Sequence, residues 1–107
     1  MTDIVAQVND WVAGNREECI RFLQDFISIP SPSGEEGDAA RFLAEKMNEF
    51  NYTTTCVDTL NDAMGTIKGT GGGRSLLLNG HIDHVPVGEM VDPSSGKIMD
   101  GDELGDH

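Results

Sequence analysis

Residues 79–88 read NGHIDHVPVG and place His81, Asp83 and His84 directly behind the apolar run Ser75–Leu78. Imidazole is the commonest metal-binding side chain, and a carboxylate two residues away can take its second ring N–H and so set its tautomer and direction. Side chains alternate along an extended backbone, so His81 and Asp83 are expected on one side, with Ile82 and His84 on the other. That makes His81 a candidate metal ligand and Asp83 a candidate catalytic or orienting carboxylate. The pattern H-x-D is short, and a loop with an exposed histidine and aspartate stands beside the metal reading. His84 is expected as a supporting or surface histidine, and Glu89 as a solvated loop acid.

Two other motifs bear on chemistry. The glycines of Gly69–Arg74 invite a phosphate-loop reading, but such a loop needs a helix after it, and here Ser75–Leu78 reads as a strand; a hairpin turn fits better. Asp100 and Asp102 begin like a calcium loop, which Leu104 and the absence of a closing glutamate break.

The elements that must hold His81 follow from periodicity. Apolar residues recur at helical spacing from Ile4 to Ile27, interrupted at Gly14-Asn15, which predicts a helix ending near Ala13 and a second over about Arg16–Ser28. Asn15 with Glu18 resembles a capping pair. Pro30 ends the second helix, and Ser33 with Glu36 forms the next capping box. Ala39, Ala40, Leu43, Met47 and Phe50 then stripe a third helix over about Gly34–Phe50, which should pack on a sheet. Tyr52–Val57, Ala63–Lys68 and Ser75–Leu78 supply three strand candidates. The last is apolar on both faces, as a central strand covered by helices should be, and in such sheets ligands bind at the carboxyl ends of the strands, where His81 falls.

The 107 residues suffice for one domain or part of one. Nineteen acidic against seven basic residues give a net charge of −12, which repels phosphate backbones and anionic membranes, so neither nucleic acid nor membrane is an expected partner. No basic, apolar leader and no run of 18 apolar residues is present. Cys19 and Cys56 lack C-x-x-C spacing and are expected as reduced thiols, and the expected location is cytoplasmic.

The ordered string FISIPSPSGEE, a helix, AMGTIKG, a turn, SLLLNGHIDHVPVG and then DPSSGKIMDGDEL resembles the N-terminal start of the M20 metallopeptidase and deacylase family. That family includes acetylornithine deacetylase, succinyl-diaminopimelate desuccinylase, aminoacylase and carboxypeptidase G-type enzymes. The resemblance covers about Arg16–Leu104. It implies an α/β fold, the N-terminal part of a zinc-hydrolase-type sandwich with a mixed β-sheet flanked by helices. It also implies a site of two zinc ions, with cobalt as a substitute, acting on amide bonds of N-acyl amino acids or small peptides. By the resemblance His81 matches the first zinc ligand and Asp83 the aspartate that orients it.

The resemblance also marks what is missing. The family's bridging aspartate, paired acidic residues and distant histidine match nothing here, and the closing ELGDH departs from its aromatic-then-G-R-G pattern, so no ligand is carried onto Asp106 or His107. His84 stands where threonine or valine is usual. One imidazole and one carboxylate cannot close a tetrahedral zinc site. The expectation is therefore a partial N-terminal segment of a catalytic domain over 1–107, mainly helical over 1–50, strands over 51–88 and an acidic loop over 89–107, inactive alone. The rival expectation is a non-catalytic α/β interaction domain. An open sheet edge would favour association of two copies as a homodimer.

Overall fold

The structure is a computed structural model that describes residues 3–101; Asp102, Leu104, Asp106 and His107 lie outside the described residues. The chain divides into two compact units, one formed by the N-terminal part up to Ser28 with the segment from Val91 onward, the other by Ile29–Met90.

In the first unit, α1 spans Ile4–Gly14 and α2 spans Arg16–Ile27. Asp3 caps α1, its Oδ1 accepting from the amides of Val5 at 3.0 Å and Ala6 at 3.3 Å. Asn15 alone separates the helices. The expected Asn15–Glu18 capping pair does not form: the Asn15 side chain makes no cap bond to α2 and instead donates to the Trp11 carbonyl at 2.8 Å. The helix end behind it offers orphan carbonyls within reach, and that competition wins. Gln24 Nε2 donates to the Gly96 carbonyl at 3.0 Å and ties the later segment to α2.

In the second unit, α3 spans Gly37–Glu49, three residues later at its start than the spacing predicts. The expected Ser33–Glu36 capping box is absent: the Ser33 hydroxyl is used elsewhere, and Glu36 Oε1 accepts from the Gly34 amide at 2.7 Å. α3 ends in a Schellman motif. Asn51 sits in the left-handed region with φ of 61°, the Tyr52 amide reaches back to the Met47 carbonyl at 3.0 Å, and the Asn51 amide to Asn48 at 3.0 Å.

Two short strands follow, β1 over Thr54–Val57 and β2 over Ala63–Thr66, paired antiparallel with Thr54 opposite Thr66 and Val57 opposite Ala63. The Asp58 side chain organises their connection, accepting from the amides of Leu60 at 2.9 Å and Asp62 at 2.8 Å. α3 lies on this hairpin, as its stripe predicts. Its fully buried residues are Ala39 and Ala40. Gly65 lets the helix come close, since a Cβ there would meet Met47 Sδ at 2.3 Å and the Tyr52 ring at 2.7 Å.

The third expected strand is not formed. Ser75–Leu78 pairs with no segment among the described residues, and Leu76, Leu77 and Leu78 are 84–86% exposed. Strand conformation depends on a hydrogen-bonded neighbour, and apolar character alone cannot supply one. Gly69–Arg74 is accordingly a bend-rich loop with no strand after it among the described residues, whose sheet is a two-stranded antiparallel one.

Candidate functional site

The site is assembled by two segments of the second unit, far apart in sequence. Pro32-Ser33-Gly34-Glu35 forms a turn closed by the Glu35 amide on the Pro32 carbonyl at 2.8 Å, with Gly34 at φ of 90° in the third position, where only glycine is at ease. Pro32 pairs with His84 as an isolated parallel bridge, so the turn runs beside Ile82–His84.

Four hydrogen bonds join the segments. The His84 amide donates to the Ser31 carbonyl at 3.0 Å, and the Ser31 amide donates to His84 Nε2 at 2.9 Å. Ser31 Oγ donates to the Ile82 carbonyl at 2.6 Å, and Ser33 Oγ donates to Asp83 Oδ2 at 2.6 Å. Ser31 is buried, at 4% exposure. The three neutral bonds contribute about 0.5–1.5 kcal/mol net each and the bond to the Asp83 carboxylate is charge-assisted, so the set fixes the turn against the 82–84 strip without large apolar side chains.

His81 and Asp83 lie side by side. His81 Nδ1 is 2.9 Å from the Asp83 carbonyl and 3.1 Å from Asp83 Oδ1. Both oxygens only accept, so Nδ1 carries the proton, and in the neutral ring Nε2 holds the lone pair. No described residue engages that nitrogen, and the side chain is 85% exposed. Asp83 divides its work, with Oδ2 accepting from Ser33 and Oδ1 from His81. The hydroxyl of Ser33 first, then His81, holds the Asp83 carboxyl below its ordinary range.

His84 is differently disposed. Its Nε2 lone pair is taken by the Ser31 amide, and Nδ1 must then carry the proton that it donates to the Val85 carbonyl at 2.7 Å. Both rings share one tautomer, but only His81 keeps an open lone pair. Glu89 is exposed and enters none of these bonds.

As a test of fit to a metal, an open, carboxylate-oriented imidazole is one donor of the kind zinc takes, where a complete site needs three or four. Among the described residues no group of three or more His, Cys, Asp or Glu side chains is placed to hold an ion. Cys19 and Cys56 are exposed, unpaired thiols. Among the described residues no helix is long and apolar enough to cross a membrane.

The serines are functional candidates that the spacing did not reveal. Ser33 carries a strong local capping signal, and nothing in its spacing points to a partner 50 residues away.

Comparison with known proteins finds relatives, among them one named as a hydrolase and one as a desuccinylase. It is 37% identical over 71 residues, 66% of this chain, to a protein of Pyrococcus abyssi provisionally named as a LysW-lysine/LysW-ornithine hydrolase. It is 35% identical over 89 residues, 70% of this chain, to the succinyl-diaminopimelate desuccinylase of Methylorubrum populi. To the uncharacterised protein YgeY of Escherichia coli it is 32% identical over 88 residues, 78% of this chain. These matches span 20%, 22% and 21% of the relatives, so the chain corresponds to about a fifth of their length. No family model and no solved structure matches the chain.

Proposed function

We propose that this chain supplies one imidazole ligand, His81, to the metal centre of an M20-type amide hydrolase acting in the cytoplasm on N-acyl amino acids or small peptides. The observation that carries this reading is the outward Nε2 lone pair of His81, with Nδ1–H held by Asp83. The relatives named as hydrolase and desuccinylase support the reaction class.

Zinc bound at such a site lowers the pKa of a coordinated water towards about 7 and draws charge from an amide carbonyl. The chain's own contribution is orientation. Asp83 holds the ring in the tautomer that exposes Nε2, stops it from rotating, and makes that nitrogen a better donor by accepting the opposite proton. His84 contributes no ligand, because its lone pair already accepts a backbone amide. The other ligands and the general base belong to residues outside this constellation.

The test is hydrolysis by the complete gene product, assayed on a panel of N-acyl amino acids and dipeptides before and after chelation. Expected are loss of turnover on chelation, recovery with Zn²⁺ or Co²⁺, and loss of both turnover and bound metal in His81→Ala. Asp83→Asn should lower metal affinity by about 10- to 100-fold. Turnover that survives the chelator, or survives His81→Ala, rejects the reading.

A further inference from the structure

We propose that Ser33 is a positioning residue: its hydroxyl fixes the Asp83 carboxylate, and through it the tautomer and direction of His81. The proposal rests on the metal-hydrolase reading for its purpose, but its geometry stands independently. A carboxylate with one free oxygen can rotate and can offer either oxygen to water. Here Oδ2 is engaged at 2.6 Å by Ser33, which leaves Oδ1 aimed at His81 Nδ1 at 3.1 Å.

Ser33 can do this because its own place is set several times over. Pro32 before it has a fixed φ and lies in the bridge to His84. The Glu35 amide closes the turn around it, and Glu36 clamps the Gly34 amide that follows. Ser33 itself is exposed, so the position is not there to fill a core. Ser33 lies three residues ahead of the N-cap position of α3, Glu36, and its hydroxyl goes to Asp83 and not to the helix. Buried Ser31, bonded to Ile82 and His84 on either side of Asp83, holds the turn at the distance the contact needs.

The test uses the 107-residue chain and reads the ring directly. Imidazole ¹⁵N shifts are recorded at about pH 8.5, above the ordinary imidazole pKa of about 6.5, for wild type, Ser33→Ala and Ser33→Thr. Wild type should show His81 predominantly as the Nδ1–H form. Ser33→Ala should move it towards the Nε2–H form that free imidazole side chains prefer, and Ser33→Thr, which keeps the hydroxyl, should restore the wild-type pattern. Amide shifts of Thr54–Thr66 serve as the folding check. An unchanged tautomer in Ser33→Ala, or a wild-type ring already in the Nε2–H form, overturns the proposal.

A parallel titration with Co²⁺ separates it from the metal reading. Paramagnetic broadening at His81 that weakens about tenfold in Ser33→Ala supports both. A tautomer shift in Ser33→Ala, with no broadening at His81 in any form, upholds the positioning role by itself, and the metal reading is then decided by chelation and His81→Ala in the complete gene product.

Discussion

Ser31→Ala tests whether hydrogen bonds, and not apolar packing, hold the site loop. The hydroxyl is buried and donates to the Ile82 carbonyl at 2.6 Å, while the two bonds between Ser31 and His84 use the Ser31 backbone and survive the substitution. Alanine occupies almost the same volume, so no cavity is opened and the loss is that of the bond together with an orphaned carbonyl. Leaving a buried acceptor unmade costs about 1–3 kcal/mol; Ile82 is only half-buried, and water reaching its carbonyl places the expected cost near the lower end, at about 1–1.5 kcal/mol. With a factor of ten for each 1.4 kcal/mol, local opening should rise about 5- to 12-fold. Native-state hydrogen exchange reads it at the His84 amide, which donates to the Ser31 carbonyl at 3.0 Å. The Thr53 amide, bonded to Thr66 in the hairpin at 2.8 Å, is the internal control and should not change. A His84 rate within twofold of wild type, or an equal rise at Thr53, would refute the reasoning, since the loop would then be either held by something else or not a separately opening unit.

Three further outcomes follow from local geometry. Gly65→Ala gains about 0.4–1 kcal/mol by restricting the unfolded chain but drives a methyl into Met47 and the Tyr52 ring, an overpacking that costs about 1–3 kcal/mol, so a urea melt should show net destabilisation of about 1–2 kcal/mol. At Asn51, whose φ is 61°, glycine should be neutral within about 0.5 kcal/mol and alanine should cost about 1 kcal/mol, because a Cβ without a local hydrogen bond is strained there. Asp62 is raised above the ordinary carboxyl range of about 3.9, chiefly by its hydrogen bond to Asp58 and then by that residue's charge. A raised acid contributes stability that is full below its unfolded pKa and is lost as pH rises through its folded one. Asp58 is lowered, chiefly by the Asp62 amide, so its contribution is present above about 3.9 and is lost as pH falls through its folded value. Urea midpoints followed upward from about pH 4 should therefore decline less in Asp62→Asn than in wild type, and an equal decline in both would count against the pairing.

The helices were legible because their signals are local: apolar spacing, the Gly14-Asn15 interruption and the prolines at 30 and 32 act within a turn or two. Both capping pairs failed for one reason. Asn15 and Ser33 carry hydroxyl or amide groups that can serve any nearby partner, and each found a stronger claim, Asn15 in the Trp11 carbonyl and Ser33 in Asp83. Ser75–Leu78 was misread because burial of a strand is a property of its neighbours, which the residues themselves do not encode. His81 and Asp83 were brought together as alternation foretold, whereas the bonds of Ser31 across 51 and 53 residues had no signature in spacing at all.

The two histidines show what spacing leaves open. His81 and His84 flank the same aspartate and share the Nδ1–H tautomer, so composition, motif and protonation state do not separate them. What separates them is the use of a single lone pair. His84 spends its Nε2 on the Ser31 amide and so belongs to the structure that holds the loop, and withdrawing it for a metal would leave the amide of buried Ser31 unpaired. His81 has its proton-bearing nitrogen tied down and its other nitrogen free, which suits a ligand and gives a structural histidine nothing. The turn bonded to His84 is the same one that carries Ser33 to Asp83, so the structural histidine and the open one are linked through Ser31, Ser33 and Asp83. Substituting His84 should therefore disturb His81 without touching it. The effect should run through the loop, appearing first as loss of protection at the Ser31 amide and only then as a change in the His81 tautomer.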